Sequence, residues 1–217
     1  MAAYNEAAVI AQTIEDLKLF IKNIVVVDDC SSDATYDIAS KAGARVLRHP
    51  INLGQGAALQ TGIDYALSQG AIYVVTFDAD GQHVAADIPP MLKALKQSGV
   101  EIALGSRFLG KAPGLPTRRR LLLKVAIMFT RWTGGGRFTD VHNGFRIMTK
   151  QFLNHFRFSQ NRMAHASEIL KFITRSRILF IEYPITVAYT EHSLKKGQKN
   201  IHSVKIILEL ILGRISK

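Results

Sequence analysis

Two apolar, β-branched segments of this chain end at paired aspartates, and this pattern constrains the fold more than any other feature. Ile24–Val27 is followed by Asp28–Asp29, and Ile72–Phe77 is followed by Asp78–Asp80. Continuous runs of this kind are typical of buried strands in a parallel sheet. In open α/β sheets, ligands bind at the carboxyl ends of the strands. We therefore expect both acidic pairs at one edge, where a divalent cation with a phosphate-bearing ligand would neutralise them.

Helix and strand patterns alternate through the first half of the chain. They predict helices over residues 6–20, 31–41, 54–68 and 87–97, and strands over 24–28, 45–48, 72–77 and 102–105. Asn5 is expected to cap the first of these helices. This βαβ alternation predicts an α/β fold with a mostly parallel central sheet flanked by helices. Such a domain should open with a strand, and because Met1–Ala3 is too short to supply one, we expect that strand to be missing.

The second half has a different pattern, with amphipathic and basic segments. It predicts a loop over 109–117, helices over 117–132, 164–174 and 201–215, and strands over 145–148, 178–183 and 185–189. The helices over 117–132 and 201–215 each pair an apolar face with Lys and Arg. Such helices can lie in a membrane interface, or can pack on the sheet or on a second subunit.

Composition narrows the possible classes of protein. The 217 residues suffice for a single domain. The formal charge of +11, from 28 Lys and Arg against 17 Asp and Glu, favours nucleic acid, an anionic membrane face or a phosphorylated substrate as partner. The single cysteine, Cys30, cannot form an intrachain disulfide, which favours a reducing compartment. No secretory leader pattern follows Met1 and no uninterrupted apolar run could span a bilayer, so we expect a cytoplasmic protein.

The segment Asp78-Ala79-Asp80-Gly81-Gln82 carries the strongest chemical signal. Hard divalent cations prefer carboxylate and amide oxygens, so Asp78, Asp80 and Gln82 are candidate ligands for Mg²⁺ or Mn²⁺. The metal would bridge diphosphate oxygens and offset the charge of a departing nucleoside diphosphate. Two alternatives stay open, a solvated acidic turn and a haloacid-dehalogenase-like phosphatase with a nucleophilic aspartate. The phosphatase motif, however, belongs on the first strand rather than in the middle of a chain.

Other residues indicate binding of a nucleotide and of phosphate. Asp28 and Asp29 can hold a base or ribose through carboxylate hydrogen bonds, or one of them can cap the next helix. Gly54 opens a helix at a tight turn, which suits a neighbouring phosphate. Arg107, which follows a strand end, and the triplet at residues 118–120 (Arg118, Arg119 and Arg120) form the best candidate anion site.

Taken in order, these segments resemble a known family. The matching motifs are Ala3-Tyr4-Asn5-Glu6, Val27-Asp28-Asp29-Cys30-Ser31-Ser32-Asp33, Asn52-Leu53-Gly54-Gln55-Gly56, Asp78-Ala79-Asp80-Gly81-Gln82-His83, Gly105-Ser106-Arg107-Phe108 and Asp140-Val141-His142-Asn143-Gly144-Phe145-Arg146. Together they resemble family-2 glycosyltransferases of the GT-A fold, in the branch of dolichyl-phosphate mannosyltransferase-like and bacterial polyprenyl-phosphate enzymes. The resemblance covers nearly the whole of residues 1–217. It implies a nucleotide-sugar-binding half (1–110) and an acceptor-binding half (111–217).

The resemblance implies a role for each matching residue. The nucleoside would be held by Tyr4, Asn5, Glu6, Asp28 and Asp29, and the metal by Asp78, Asp80 and Gln82. Acceptor-side contacts would come from Asp140, Arg107, Arg118, Arg119, Arg120, Lys195 and Lys196, with Glu168 as a further acidic candidate. Two positions depart from the family pattern: Ala2 replaces a proline, and Cys30 replaces a glycine.

The resemblance also implies a reaction. It is an inverting, metal-dependent transfer of a sugar from a UDP-sugar or GDP-mannose to a polyprenyl phosphate, in cell-envelope glycan synthesis. We expect peripheral attachment to the cytoplasmic face of a membrane, and a homo-oligomer or a membrane-protein partner is possible. A basic nucleic-acid-binding module is the non-enzymatic alternative, but no RNP, helix-turn-helix, zinc-finger or KH signature supports it.

Overall fold

The structure of the protein, a computed structural model, describes residues 1–132, 136–162 and 164–189. Lys195, Lys196 and the helix expected over 201–215 lie outside these residues. The strands within them are β1 (Ala2–Ala3), β2 (Val25–Asp28), β3 (Arg45–Arg48), β4 (Tyr73–Thr76), β5 (Ile102–Lys111), β6 (Arg146–Thr149) and β7 (Phe180–Thr186). The helices are α1 (Ile10–Lys18), α2 (Thr35–Lys41), α3 (Gln55–Ser68), α4 (Ile88–Ser98), α5 (Thr117–Trp132), α6 (Lys150–His155) and α7 (His165–Arg175), and a 3₁₀ turn (Ala85–Asp87) precedes α4.

The strands form two adjacent sheets rather than one. The first sheet has the order β1-β2-β3 and is parallel throughout. The second has the order β4-β6-β5-β7, with β6 antiparallel to both of its neighbours and β5 parallel to β7. The predicted α/β class is confirmed. A cavity of about 1040 Å³ is lined from both sheets, by Ile24 and Val25 at β2 and by Tyr73–Thr76 at β4.

The chain does form a short opening strand, which corrects the expectation that it is missing. Ala2 and Ala3 pair in parallel register with Val27 and Asp28 of β2. The Met1 carbonyl accepts a hydrogen bond from the Val27 amide at 2.8 Å. Because the pairing uses backbone groups alone, a two-residue strand needs no β-branched signal in the sequence.

The first helix begins later than the sequence predicted. It starts at Ile10 rather than near Glu6, and Asn5 does not cap it. Asn5 instead adopts a positive φ of 54°, and its side-chain oxygen accepts a hydrogen bond from the Ser32 amide at 2.9 Å. Asparagine tolerates this left-handed conformation better than most residues. The turn after β1 is thereby tied to the turn after β2, both at the carboxyl edge of the sheet.

Two regions of the second half also differ from the prediction. Strand β5 continues to Lys111, through the first part of the loop that was expected from residue 109. The two short strands expected around Pro184 are one strand, β7, in which Pro184 lies opposite Ser106. Proline is tolerated there because β7 is the edge strand of its sheet.

Alternate residues of the second sheet face two separate parts of the core. Ile102 and Met148 belong to a cluster that packs with Phe152 of α6, whereas Ala103 and Ile147 belong to a cluster with Met91 of α4. All six side chains are fully buried. The period-two alternation of strands therefore places helices on both faces of this sheet. Among the described residues, no helix is long and apolar enough to cross a membrane.

Helix α3 offers a test of how closely its first turn is packed. A Cβ atom added at Gly56 would overlap the backbone carbonyl of Gln160, which cannot move without shifting its loop. Gly56→Ala should therefore lower the free energy of unfolding, by about 2 kcal/mol, as expected for overpacking. The measurement is urea unfolding followed by circular dichroism.

The same helix supplies the matched control. At Gly62 the added Cβ would meet only Val27 Cγ2, at 3.3 Å. Gly62→Ala should be neutral, or stabilising by up to about 1 kcal/mol, because alanine has the higher helix propensity. Equal effects of the two substitutions would contradict the tight packing of α3 against residue 160.

Candidate active site

The acidic loop after β4 (residues 78–83) is fixed by contacts to the Asp78 carboxylate. His83 Nε2 lies 2.9 Å from Asp78 Oδ2, and the Gln55 amide donates to Asp78 Oδ1 at 3.3 Å. His83 is almost fully buried between the rings of Phe77 and Phe145. This packing leaves the imidazole little freedom, so it holds the carboxylate in one orientation.

Gly144 provides the surface on which this carboxylate rests. A Cβ atom added at Gly144 would overlap both carboxylate oxygens of Asp78. The Gly144 carbonyl in turn accepts a hydrogen bond from Thr76 Oγ1 at 2.6 Å. The absence of a side chain at residue 144 is therefore a requirement of the acidic loop.

The two aspartates of this loop have opposite pKa shifts. Burial alone would raise the pKa of Asp78, but the hydrogen bond and charge of His83, with the charge of Arg146, lower it to about 2. Burial and the neighbouring Asp78 charge raise the pKa of Asp80 to about 6, and Glu6 adds to this effect. Negative charge is thus crowded at the end of β4, and a cation would relieve it.

The chemistry of this loop fits a divalent cation that is shared with a ligand. In the described part of the chain, no group of three or more His, Cys, Asp or Glu residues is arranged to hold a metal ion. Mg²⁺ is commonly held by only one or two carboxylates together with substrate phosphates and water. Asp78 and Asp80, with the Gln82 amide nearby, match that incomplete set.

Arg107 and Asp140, which the resemblance places together on the acceptor side, form a buried ion pair. Arg107 Nε donates to Asp140 Oδ2 at 2.6 Å, and the Arg107 backbone amide donates to the same oxygen at 3.2 Å. The guanidinium also donates to Tyr189 Oη and to the His142 carbonyl, both at 2.5 Å. Although burial opposes its charge, Asp140 and Tyr189 raise the pKa of Arg107. The buried Asp140 carboxylate therefore orients Arg107.

Glu182 of β7 holds the backbone that carries Asp140. Its Oε1 accepts hydrogen bonds from the Thr139 amide at 2.7 Å and from the Thr139 hydroxyl at 2.8 Å. That hydroxyl also lies 2.7 Å from the Ser106 hydroxyl. Strands β5 and β7 thus jointly set the position of Asp140.

The Asp28–Asp29 pair makes mostly internal contacts. Asp28 is fully buried, and its Oδ2 lies 3.2 Å from Arg48 Nε. Asp29 Oδ1 lies 2.7 Å from His49 Nδ1 and accepts from the Leu53 amide at 2.9 Å. Asp29 therefore organises the loop between β3 and α3, and direct contact of either carboxylate with a nucleoside stays a prediction.

The structure does not support a phosphate site at Gly54, which the sequence suggested. The Gly54 amide donates to Asp29 Oδ2 at 2.7 Å. In the first turn of α3, the amides of Gly56 and Ala57 donate to the Asn161 carbonyl at 2.8 and 3.3 Å. With these donors occupied, the turn serves packing, and a positive φ of 98° at Gly54 explains its glycine.

The remaining predicted residues differ in their exposure to solvent. Tyr4 is exposed and Glu6 is buried, in the turn tied to β2 by Asn5. In the first turn of α5, Arg118 and Arg120 are exposed, whereas Arg119 is partly buried. Glu168 binds the 159–160 loop through the amides of that loop and serves structure there.

Sequence reasoning assigned no role to three residues that the structure places in the site, His83, Gly144 and Arg146. Arg146 is 2% exposed, and its Nη1 makes no hydrogen bond within the described part of the chain. Burial lowers its pKa to about 10, and Asp78 and Asp140 oppose that shift. The sequence did contain a signal for Arg146, because it begins a buried strand, and a buried basic residue normally requires a counter-charge.

Comparison with known proteins is consistent with this architecture. Glucosyl-3-phosphoglycerate synthase from Mycobacterium tuberculosis, crystallised with Mn²⁺ and UDP-glucose, superposes with a TM-score of 0.65. The alignment covers 88% of this chain and 70% of that one at 18% identity. At this identity the similarity shows the fold alone. It is a GT-A-like α/β fold.

Sequence comparison gives the family. Residues 1–167 match the family described as Glycosyl transferase family 2. An uncharacterised protein of Methanocaldococcus jannaschii is 36% identical over 98% of this chain and 90% of its own length. UDP-N-acetylglucosamine–dolichyl-phosphate N-acetylglucosaminyltransferase of Methanococcus voltae is 28% identical over 99% of this chain and 94% of its own length. The chain belongs to glycosyl transferase family 2 and is a glycosyltransferase.

The contact between Gly144 and Asp78 can be tested through metal affinity. Gly144→Ala should displace the Asp78 carboxylate and weaken Mn²⁺ binding about tenfold or more, as loss of an outer-shell support typically does. Mn²⁺ titration followed by electron paramagnetic resonance measures this affinity directly. Gly62→Ala, in α3, is the control and should bind Mn²⁺ as the wild type does. Unchanged Mn²⁺ affinity in Gly144→Ala would show that metal binding by Asp78 does not depend on its contact with residue 144.

Charge crowding at Asp80 predicts a substitution that stabilises the metal-free protein. Because folding raises the pKa of Asp80 from 3.8 to about 6, the folded state favours the protonated carboxyl. That contribution to stability is complete below pH 3.8 and is lost as the pH rises through 6. By linkage it amounts to about 3 kcal/mol, and partial exposure reduces it to about 1–2 kcal/mol.

Asp80→Asn should therefore raise the free energy of unfolding by about 1–2 kcal/mol at pH 8 in a chelator, with little effect at pH 4. Urea titrations at both pH values measure the difference. Asp37→Asn, in the first turn of α2, is the control and should not stabilise, because its carboxylate interacts favourably with the helix dipole. Equal effects of Asp80→Asn at the two pH values would argue against charge repulsion as the cause.

Proposed function

We propose that this glycosyltransferase moves a sugar from a UDP-sugar to the phosphate of a polyprenyl lipid, with inversion at the anomeric carbon. The observation that carries the proposal is the placement of two centres at one edge of the second sheet, one rich in carboxylates and one built around a buried arginine. The acidic loop with Asp78 and Asp80 follows β4, and the Arg107–Asp140 pair lies at β5, two strands away. One centre suits a metal-bound diphosphate and the other suits an anionic acceptor.

On the donor side, Asp78, Asp80 and Gln82 would hold the divalent cation. When bound, the cation supplies positive charge to the departing diphosphate. His83 orients the Asp78 carboxylate by a hydrogen bond and favours its ionised form, which lowers the pKa of Asp78. The M. voltae relative, which is named for a UDP-sugar, and the M. tuberculosis synthase, which binds UDP-glucose and Mn²⁺, support UDP over GDP-mannose.

On the acceptor side, Arg107 would bind the phosphate. A guanidinium has five N–H donors, and the three contacts to Asp140, Tyr189 and His142 leave one donor on each terminal nitrogen. Such a pair of donors suits a phosphate. A phosphate monoester has a second pKa of about 6 and is mostly ionised at neutral pH, so it needs positioning more than deprotonation. This explains why Asp140 can be committed to Arg107.

Helix α5 would bring the enzyme to the lipid. Its buried side is formed by Ala126 and Ile127. Large apolar side chains are exposed on the rest of the helix, at Leu121, Leu122, Val125, Met128 and Trp132. With the arginines of residues 118–120 and Arg131, this surface suits an anionic membrane interface at the cytoplasmic face. Contact of α5 with a second subunit or a membrane protein stays an alternative prediction.

The phosphatase and nucleic-acid alternatives gain no support from these observations. Family 2 membership assigns the segment at residues 78–82 to a glycosyltransferase rather than to a phosphatase of the haloacid-dehalogenase type. Helix α5 contributes five basic residues and no acidic residue to the positive charge of the chain.

Calorimetric titration tests the donor half of this function. UDP should bind in the presence of Mn²⁺, with affinity reduced at least tenfold by a chelator or in Asp80→Ala, because the metal and the diphosphate share their charge. Asp37→Ala is the matched control and should bind normally. Mn²⁺-dependent binding of GDP in place of UDP would show that the donor carries guanine rather than uracil. Failure of both nucleotides to bind would contradict the metal-dependent mechanism.

A further inference from the structure

A short segment after β7, Val187–Tyr189, connects the two halves of the site. The Ala188 amide donates to the Gln82 carbonyl in the acidic loop at 2.8 Å. On the other side, the amides of Val187 and Tyr189 donate to the carbonyls of Lys111 and Pro113 at 2.9 and 3.0 Å. The segment therefore lies between the proposed metal loop and the loop that leads into α5.

The side chain of Tyr189 contacts two arginines at once. Its hydroxyl accepts from Arg107 Nη1 at 2.5 Å, and the Arg119 guanidinium carbon lies 5.1 Å from the centre of its ring. Tyr189 is itself only 8% exposed. The hydroxyl thus holds Arg107 by a hydrogen bond, and the ring face attracts Arg119 by a cation–π interaction.

Two cations held around one ring repel each other unless an anion lies nearby. Asp140 compensates Arg107, but Arg119 has no ion pair with a carboxylate in the described part of the chain. A phosphate monoester carries a charge of about −1.5 to −2 at neutral pH and can accept hydrogen bonds from both guanidinium groups. A phosphate monoester therefore fits a site in which two guanidinium groups face one anion.

We propose that Tyr189 is a positioning residue, which holds the guanidinium groups of Arg107 and Arg119 around the phosphate of the acceptor. The inference rests on the proposed function, because it assigns the phosphate to the acceptor substrate. It adds that Arg119, rather than its exposed neighbours Arg118 and Arg120, is the member of the triplet that meets this phosphate. It also adds that the segment at residues 187–189 sets the distance between donor loop and acceptor helix.

Two substitutions separate the two contacts of this side chain. Tyr189→Phe keeps the ring under Arg119 and removes the acceptor for Arg107. Tyr189→Leu removes both contacts. Tyr183→Phe is the matched control, because Tyr183 lies on β7 and packs, partly buried, against the same hydrophobic cluster as Tyr189, whereas the Arg107 guanidinium donates to Tyr189 and not to Tyr183.

The experiment measures binding of phosphate monoesters by calorimetry, in the presence of UDP and Mn²⁺. Farnesyl phosphate in detergent micelles is the lipid probe, farnesol is the probe without phosphate, and 3-phosphoglycerate is the soluble probe. Affinity for farnesyl phosphate should fall about tenfold in Tyr189→Phe, as for the loss of a hydrogen bond to a charged group. It should fall a further three- to tenfold in Tyr189→Leu, where the cation–π contact is also lost. Tyr183→Phe and the binding of UDP should be unchanged.

A double-mutant cycle distinguishes positioning from a general structural effect. Arg119→Ala should weaken farnesyl phosphate binding, and Tyr189→Leu combined with Arg119→Ala should be little worse than Tyr189→Leu alone. Arg118→Ala should have a smaller effect than Arg119→Ala. Arg119→Ala changes one partly exposed helix residue, so it tests the proposal even if Tyr189→Leu fails to fold.

The outcomes separate this inference from the proposed function. Wild-type affinity for farnesyl phosphate in Tyr189→Phe, Tyr189→Leu and Arg119→Ala would overturn the inference and leave the proposed function standing. Binding of 3-phosphoglycerate in place of farnesyl phosphate, lost in the same variants, would support the positioning role and overturn the lipid acceptor. If the wild type binds UDP with Mn²⁺ but neither monoester, both the inference and the acceptor half of the proposed function are wrong.

Discussion

The buried ion pair between Arg107 and Asp140 is the interaction on which the acceptor side of the molecule depends. Its two members lie 33 residues apart, on β5 and on the segment before β6. A buried pair is stabilising only if its remaining hydrogen-bonding groups are satisfied. Here the His142 carbonyl and Tyr189 supply partners for Arg107, and Asn143 donates to the shared carboxylate oxygen. Removing one partner would leave the other charge buried, so these contacts hold together as a unit.

The donor side follows the opposite principle, since His83 and Arg146 offset the negative charge of Asp78 while Asp80 has no ion pair among the described residues. His83 favours the ionised form of Asp78, and Asp80 beside it then ionises with difficulty. The folded protein thereby carries a local destabilisation that a metal and a diphosphate would remove. Enzymes commonly accept such a cost where a site must bind charge tightly. Family 2 membership gives this arrangement its chemical meaning.

Local sequence signals predicted the first half of the fold well. Strand β3 has the predicted ends, as does helix α5 in the second half, and both acidic pairs lie at strand ends. The predictions that failed concern residues whose hydrogen-bond partners are distant in sequence. Gly54 suggested a phosphate-binding turn. The amides of Gly54, Gly56 and Ala57 instead donate to Asp29 and to Asn161, and Asn161 lies more than 100 residues further along the chain. No local pattern contains that information.

The pairing of Arg107 with Asp140 escaped prediction for the same reason. The motif around each residue indicated a functional position, yet their contact depends on Glu182, which fixes the Thr139 turn from β7. Gly144 was visible in its motif, but its purpose becomes clear only when the Asp78 carboxylate is seen to rest on it. Sequence therefore identified which residues matter, and tertiary packing decided what each of them does.

The division of the strands into two sheets has a mechanical consequence. Asp28 ends a strand of the first sheet and Asp78 follows a strand of the second, with a cavity between Val25 and Tyr73. The sheets are joined by side-chain packing, in which α3 contacts strands of both, rather than by a continuous ladder of hydrogen bonds. A donor with its nucleoside at one sheet and its diphosphate at the other would link the two sheets non-covalently. Part of its binding energy would then appear as resistance of the two sheets to separation.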